Sequence, residues 1–141
     1  MKSKPRIVFD TNSLISALIL PKSISYDALQ LAIEQFDILV SRETWIELET
    51  RIQKESLVRY FDPIAAREEL VSILNRIVKH TSVQSEVTDC RDPDDNKSLS
   101  LALDGNASFL ITGDKDLKVL HPWRGIAILS VGDFVRGFKK A

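Results

Sequence analysis

One cysteine, one methionine and two histidines in 141 residues leave little material for several kinds of chemistry. The lone Cys90 excludes an internal disulfide and any cysteine-rich zinc module. His80 and His121 stand far apart, and neither has a partner at metal-ligand spacing. Glycine and proline number five each, and no linker, repeat or low-complexity tract occurs. Walker-type and dinucleotide glycine motifs are also missing. The run Leu14 to Leu20, broken by Ser16, is far short of a membrane span. Lys2, Lys4 and Arg6 mimic the head of a signal peptide, but Asp10 stops the apolar stretch after three residues. The expected setting is the cytoplasm, with no membrane partner. Nor is there an excess of either charge: 19 basic against 20 acidic side chains give a net charge of −1. That excludes a globally cationic nucleic-acid binder but allows a local basic patch.

What is present fits one globular domain over residues 1–141, with 44% hydrophobic and 28% charged residues. Arg6 to Asp10 is a short β-rich run stopped by a carboxylate, which suits a buried parallel strand. Leu14, Ile15, Leu18 and Ile19 fall at helical spacing before Pro21-Lys22-Ser23, and Leu29, Ala32, Ile33 and Phe36 mark a second helix. Phe36 to Val40 reads as a strand. Ser41 is the expected N-cap of a helix carrying Trp45, Leu48 and Ile52. Asp62-Pro63 and Asp92-Pro93 are matching helix starts, with the acid at N-cap and proline at N1. The first opens a stripe of Leu70, Val71, Leu74, Ile77 and Val78. The second opens a helix with Leu99, Ala102 and Leu103 inward, closed near Gly105-Asn106. Thr81 to Val87 reads as strand or loop, Ser108 to Thr112 and Gly125 to Leu129 as strands. Ser130 and Asp133 fit the cap of a final helix with Phe134 and Phe138. Alternating strands and helices imply an α/β domain with a mostly parallel sheet.

In such sheets ligands bind outside the carboxyl ends of the strands. Asp10 ends the first strand; Asp114 and Asp116 come after Thr112 at the end of a later one. Glu43, Glu47 and Glu49 sit in the helix after the second strand, and Asp92, Asp94 and Asp95 at another helix start. Each group alone has an ordinary reading: Asp10 as a helix cap, Glu47 paired with Arg51 at i,i+4, Asp92 to Asp95 serving a helix dipole, Asp114 and Asp116 as turn acids. Together at one rim they need explaining, because two carboxylates about 6 Å apart repel by roughly 3 kcal/mol at an effective dielectric of 20. An all-oxygen donor set favours a hard ion such as Mg²⁺ or Mn²⁺, which suits phosphate chemistry. Asp92 to Asn96 looks like the start of a calcium EF-hand loop. Lys97 and Leu103 stand where that loop needs glycine and a bidentate glutamate, so the likeness fails.

The residues Val8-Phe9-Asp10-Thr11-Asn12, Ser41 to Leu48, Asp92 to Ala102 and Leu110 to Leu117 resemble, in order, the four motifs of the PIN-domain nucleases, especially their toxin-type group. The matching acids are Asp10, Glu47, Asp95 (seven residues before the small Ala102) and Asp114. The resemblance implies a three-layer α/β/α domain with a five-stranded parallel sheet. It implies an endoribonuclease dependent on Mg²⁺ or Mn²⁺, with Asp10, Glu47, Asp95 and Asp114 catalytic and Asp92 and Asp116 as further metal ligands. Asn12, Ser13, Thr112, Lys97 and Lys115 are the expected substrate contacts, and Thr112 is also a candidate to orient a ligand. For this group it further implies the toxin of a toxin–antitoxin pair, an RNA substrate, an antitoxin protein partner and a homodimer. Two other readings use the same residues: a catalytically silent interaction module whose acids bind a basic segment, and a DNA or structure-specific nuclease. Trp45 and Trp123 read as core residues and Cys90 as a bystander near the third motif.

Overall fold

Side chains alternate from one face of a strand to the other, and here both faces are buried. Ile7, Phe9, Ile38, Val40 and Ile111 enter one core, while Val8, Leu39, Leu110 and Ile128 enter a second on the opposite face. The computed structural model describes residues 4–20, 22–54 and 64–138. The expected helix start at Asp62-Pro63, and Pro21, lie outside them.

In chain order the elements are β1 (Arg6–Phe9), α1 (Thr11–Ile19), α2 (Ile24–Gln35), β2 (Asp37–Val40), α3 (Arg42–Ile52), α4 (Ile64–Ile77), β3 (Lys79–His80), a 3-10 turn (Pro93–Asp95), α5 (Asn96–Asp104), β4 (Phe109–Ile111), α6 (Lys115–Lys118), β5 (Ala127–Leu129) and α7 (Val131–Phe138). The five strands are parallel in the order β3-β2-β1-β4-β5. Residues of α1, α2, α3, α4 and α7 form the first core with one sheet face; α5 and Leu117 of α6 cover the other. The domain thus has the three layers and five-stranded parallel sheet of a PIN-like α/β fold.

Local chemistry sets the element ends. Ser41 and Thr44 form a reciprocal capping box at α3, and the Ser130 hydroxyl accepts from Asp133 N at 3.1 Å. Gly105 closes α5 against β2, where a Cβ would lie 2.3 Å from Leu39 Cδ1. Phe36 ends α2 and packs edge-on against Phe109, Phe134 and Phe138, with ring centroids 5.5 to 5.7 Å apart.

Residues 81–87, open between strand and loop in the sequence, have no regular structure, and the third strand is Lys79–His80 just before them. Asp104 ties that segment down, accepting from Gln84 N at 2.6 Å and Ser85 N at 2.8 Å. Ile77, expected inside, is 37% exposed at the end of α4. Trp45 is only half-buried, edge-on to His80 at 5.4 Å; Trp123 is buried as expected.

The order of the sheet matters for chemistry. From β1 the chain runs outward through β2 to β3, then returns to β4 on the other side of β1. The β1/β4 boundary is therefore the switch point, where strand carboxyl ends open a crevice.

Candidate active site

Asp10 and Asp114 leave the two strands at that switch point, and one hydroxyl joins them. Asp10 N still donates to Ile111 O at 2.9 Å, so its Cα is fixed by the β-ladder. Its carboxylate accepts from Ser13 N at 2.8 Å, capping α1, and from the Thr112 hydroxyl. Thr112 Oγ1 in turn accepts from Asp114 N at 3.0 Å. Asp114 caps α6 by accepting from Asp116 N at 2.8 Å, and Asp92 caps the 3-10 turn by accepting from Asp94 N at 3.0 Å. The cap readings and the cluster reading are thus both true. Capping engages one carboxylate oxygen and fixes the direction of the other.

A cleft of about 120 Å³ lies between these segments, lined by Asp10, Glu47, Asp92, Asp94, Asp95 and Asp114 together with Asn12, Arg51 and Ser98. Asp92, Asp95 and Asp114 each offer an oxygen within 4.8 Å of the others. Asp95 bears the strain of this crowding. Burial, a hydrogen bond with Asp114 and the charges of Asp114, Asp92 and Asp10 push its pKa up to about 7. A carboxyl that holds its proton near neutrality beside three other acids is a donor set short of positive charge. Hard, all-oxygen donors at this spacing fit a divalent cation of the Mg²⁺ or Mn²⁺ type.

Glu47 faces the same cleft in a different state. Its Oε1 accepts from the buried Thr11 hydroxyl, and its Oε2 accepts from Arg51 and Lys97, both at 2.9 Å. Lys97 Nζ also donates to Asp94 Oδ1 at 2.8 Å, and Arg51 donates to Asn12 Oδ1 at 2.5 Å. Two cations and two carboxylates therefore form one network along the α3/α5 side. Lys97 holds Asp94 below the usual carboxylate range, and Asp94 and Glu47 raise the Lys97 pKa against the opposing pull of burial. The i,i+4 pair with Arg51 is present, but it sits on the cleft wall at 25% and 17% side-chain exposure.

The other sequence candidates take different positions. Glu43 and Glu49 line other grooves. Asp116 stands beside Asp114 and outside the cleft; burial, followed by the charges of Asp95, Asp114 and lastly Asp116, raises the pKa of the nearby Cys90 thiol. Thr112 is fully buried, so it orients acids and cannot touch substrate. The Ser13 side chain is also buried, whereas Asn12 and Lys115 are exposed. Thr11, Arg51 and Asp94 were not among the candidate site residues. Thr11 sits inside the Asp-Thr-Asn motif and Arg51 at i,i+4 from Glu47, so the sequence did carry a signal for both.

A PIN domain family model matches residues 6–116. The uncharacterized protein MJ1680 of Methanocaldococcus jannaschii is 30% identical over 117 residues, covering 82% of this chain and 75% of that protein. The crystal structure of PAE2754 from Pyrobaculum aerophilum superposes with a TM-score of 0.60 at 18% identity, covering 97% of this chain and 91% of that one. PIN domains are in general nucleases that use divalent metals, and a family-model match over most of this chain, with acids converging at the switch point, means that this chain belongs to the PIN domain family.

Proposed function

We propose that this PIN domain is a Mg²⁺- or Mn²⁺-dependent endoribonuclease, hydrolysing phosphodiester bonds of RNA as the toxin of a toxin–antitoxin pair. One observation carries the chemistry: Asp92, Asp95 and Asp114 each bring an oxygen within 4.8 Å of the others in a cleft that Asp10 also lines. A divalent cation there supplies charge neutralisation at a phosphoryl group and activation of a water molecule. The chain's own residues do the rest. Asp10, Asp92, Asp95 and Asp114 form the acidic holder, and Thr112 keeps Asp10 and Asp114 in register. Lys97 and Arg51 sit at the edge of the cleft with N–H groups turned toward carboxylates. An incoming phosphate can take those same donors without a new cation having to approach. Glu47, held by Thr11, fixes both cations until then.

The preference for RNA, the toxin role, the antitoxin partner, the homodimer and a cytoplasmic setting rest on the likeness of the four motifs to the toxin-type group. Among the described residues no helix is long and apolar enough to cross a membrane. Purified protein should cleave a single-stranded RNA with Mn²⁺ and stop in chelator, and Asp10→Asn should lose nearly all activity while keeping its fold. Equal cleavage by parent and Asp10→Asn overturns the assignment. Induced expression should arrest growth, Asp10→Asn should not, and co-expression of a cognate antitoxin should relieve the arrest. Arrest by both proteins alike excludes ribonuclease action as its cause.

A further inference from the structure

Two side-chain hydroxyls line the acidic cleft, those of Thr11 and Ser98. Thr11 is already engaged, donating to Glu47 Oε1. Ser98, in the first turn of α5, is only 4% exposed, yet its hydroxyl makes no hydrogen bond among the described residues. It does not bond back to a carbonyl of the preceding turn, the usual resort of a serine inside a helix. Ser100, also buried on α5, shows the ordinary arrangement: its oxygen accepts from Val87 N at 3.2 Å. Every fully enclosed side-chain nitrogen or oxygen among the described residues has a partner. The Ser98 oxygen is therefore the part of that side chain still open, and it opens on the cleft it lines. For the fold alone, a hydroxyl withdrawn from most of its water and left unpaired is a cost.

We propose that Ser98 is a substrate-contacting residue, its hydroxyl donating to a non-bridging oxygen of the phosphodiester that enters the cleft. The proposal rests on the hydrolytic function put forward above. Ionised carboxylates, which make up most of the lining, only accept hydrogen bonds. A phosphate also only accepts, so each donor on the wall counts. Ser98 follows Lys97 in the chain and shares the cleft with Arg51, so its O–H adds a neutral donor to the two cationic ones. The cation has less use for it. Asp92, Asp95 and Asp114 offer that ion charged oxygens, which a hard ion takes ahead of a neutral hydroxyl.

Ser98→Ala tests this, because it removes the hydroxyl and leaves the packing almost unchanged. With no partner lost, the metal-free variant should melt no lower than the parent. For a single-stranded oligoribonucleotide cleaved with Mn²⁺, KM should rise about tenfold, as for one hydrogen bond to a charged group, with kcat within about twofold. The affinity for Mn²⁺ alone, by isothermal titration, should match that of the parent. Ser100→Ala is the control: it strands Val87 N, so it should melt lower and keep the parent's KM. An unchanged KM in Ser98→Ala overturns the contact. So does an Mn²⁺ affinity lowered about tenfold, which gives the hydroxyl to the cation instead. Binding of a fluorescent oligoribonucleotide in Ca²⁺, read by anisotropy, separates this contact from hydrolysis. If the parent binds but never cleaves, and Ser98→Ala binds about tenfold more weakly, the contact stands and the hydrolase fails. If the parent cleaves and Ser98→Ala binds and cleaves as well as it does, the contact fails and the hydrolase stands. A parent that neither binds nor cleaves overturns both.

Discussion

Replacing Thr112 by Val removes one hydroxyl and almost no volume from a fully buried position. That hydroxyl donates to the Asp10 carboxylate and accepts from Asp114 N at 3.0 Å. A hydrogen bond to a charged group contributes about 1.5–3 kcal/mol and a neutral one about 1 kcal/mol. Asp10 and Asp114 are half-buried, so water recovers part of the loss, and the expected destabilisation is about 2–3 kcal/mol. For a domain of this size that lowers the melting temperature by roughly 6–12 °C. Urea unfolding followed by the fluorescence of Trp45 and Trp123 gives the free energy directly, with an unchanged slope expected because the exposed surface is the same. The functional consequence should be larger than the stability loss suggests. Asp10 and Asp114 lose their common register, so cleavage should fall by about 100-fold, as a displacement of about 1 Å can cause. In an Asp10→Asn background the same Thr112→Val change should destabilise by only about 1 kcal/mol, the charge-assisted part having gone. A loss below about 0.5 kcal/mol with full activity would refute the role assigned to this hydroxyl.

Glu47→Gln should abolish cleavage while Glu43→Gln and Glu49→Gln stay within about threefold of the parent, single-turnover rates being the readout; only Glu47 lines the cleft. Lys97→Met leaves Glu47 and Asp94 without their shared ammonium, so the metal-free protein should melt lower and the stabilisation by Mn²⁺ should grow. A shrunken Mn²⁺ response in that variant would contradict the charge balance described. For pH, Asp95 has a folded pKa of about 7, above its ordinary 3.8. The folded state therefore binds more protons than the unfolded one between these values, and metal-free stability should fall as pH rises through that window. A cation must displace the Asp95 proton, so Mn²⁺ affinity should weaken progressively below about pH 7, and Asp95→Asn should flatten both profiles. Melts and Mn²⁺ titrations from pH 5 to 8 check this; a parent profile as flat as the variant's would oppose it.

The acids were legible because each sits where two local rules meet. Ile7-Val8-Phe9 and Leu110-Ile111 are apolar runs too short for helices, and the carboxylate beyond each strand, Asp10 or Asp114, also caps the next helix. Asp92-Pro93 marked its turn in the same way. Lys79–His80 was not legible as a strand, because both side chains are exposed and only its backbone pairs with Leu39 and Val40. The cation network was hidden for another reason. Glu47 and Lys97 are 50 residues apart and Arg51 and Asn12 are 39 apart, so nothing in local spacing joins them. Thr112 was visible as a motif residue, but which way its hydroxyl points depends on β1 and β4 being neighbours.

The most direct measurement is the binding of Mn²⁺ by isothermal titration to the parent and to Asp10→Asn, Asp95→Asn, Asp114→Asn and Asp37→Asn. Asp37 begins β2 at the opposite rim, 3.9 Å from Lys79, and serves as the distant acid. If acids from three chain segments form one site, each of the first three variants should bind at least about tenfold more weakly, a loss of about 1.4 kcal/mol. The parent and Asp37→Asn should bind alike. At 100 times its dissociation constant Mn²⁺ should then stabilise the parent by about 2.7 kcal/mol. Equal affinity in all five proteins would contradict the shared site and, with it, the metal-dependent reaction proposed for it.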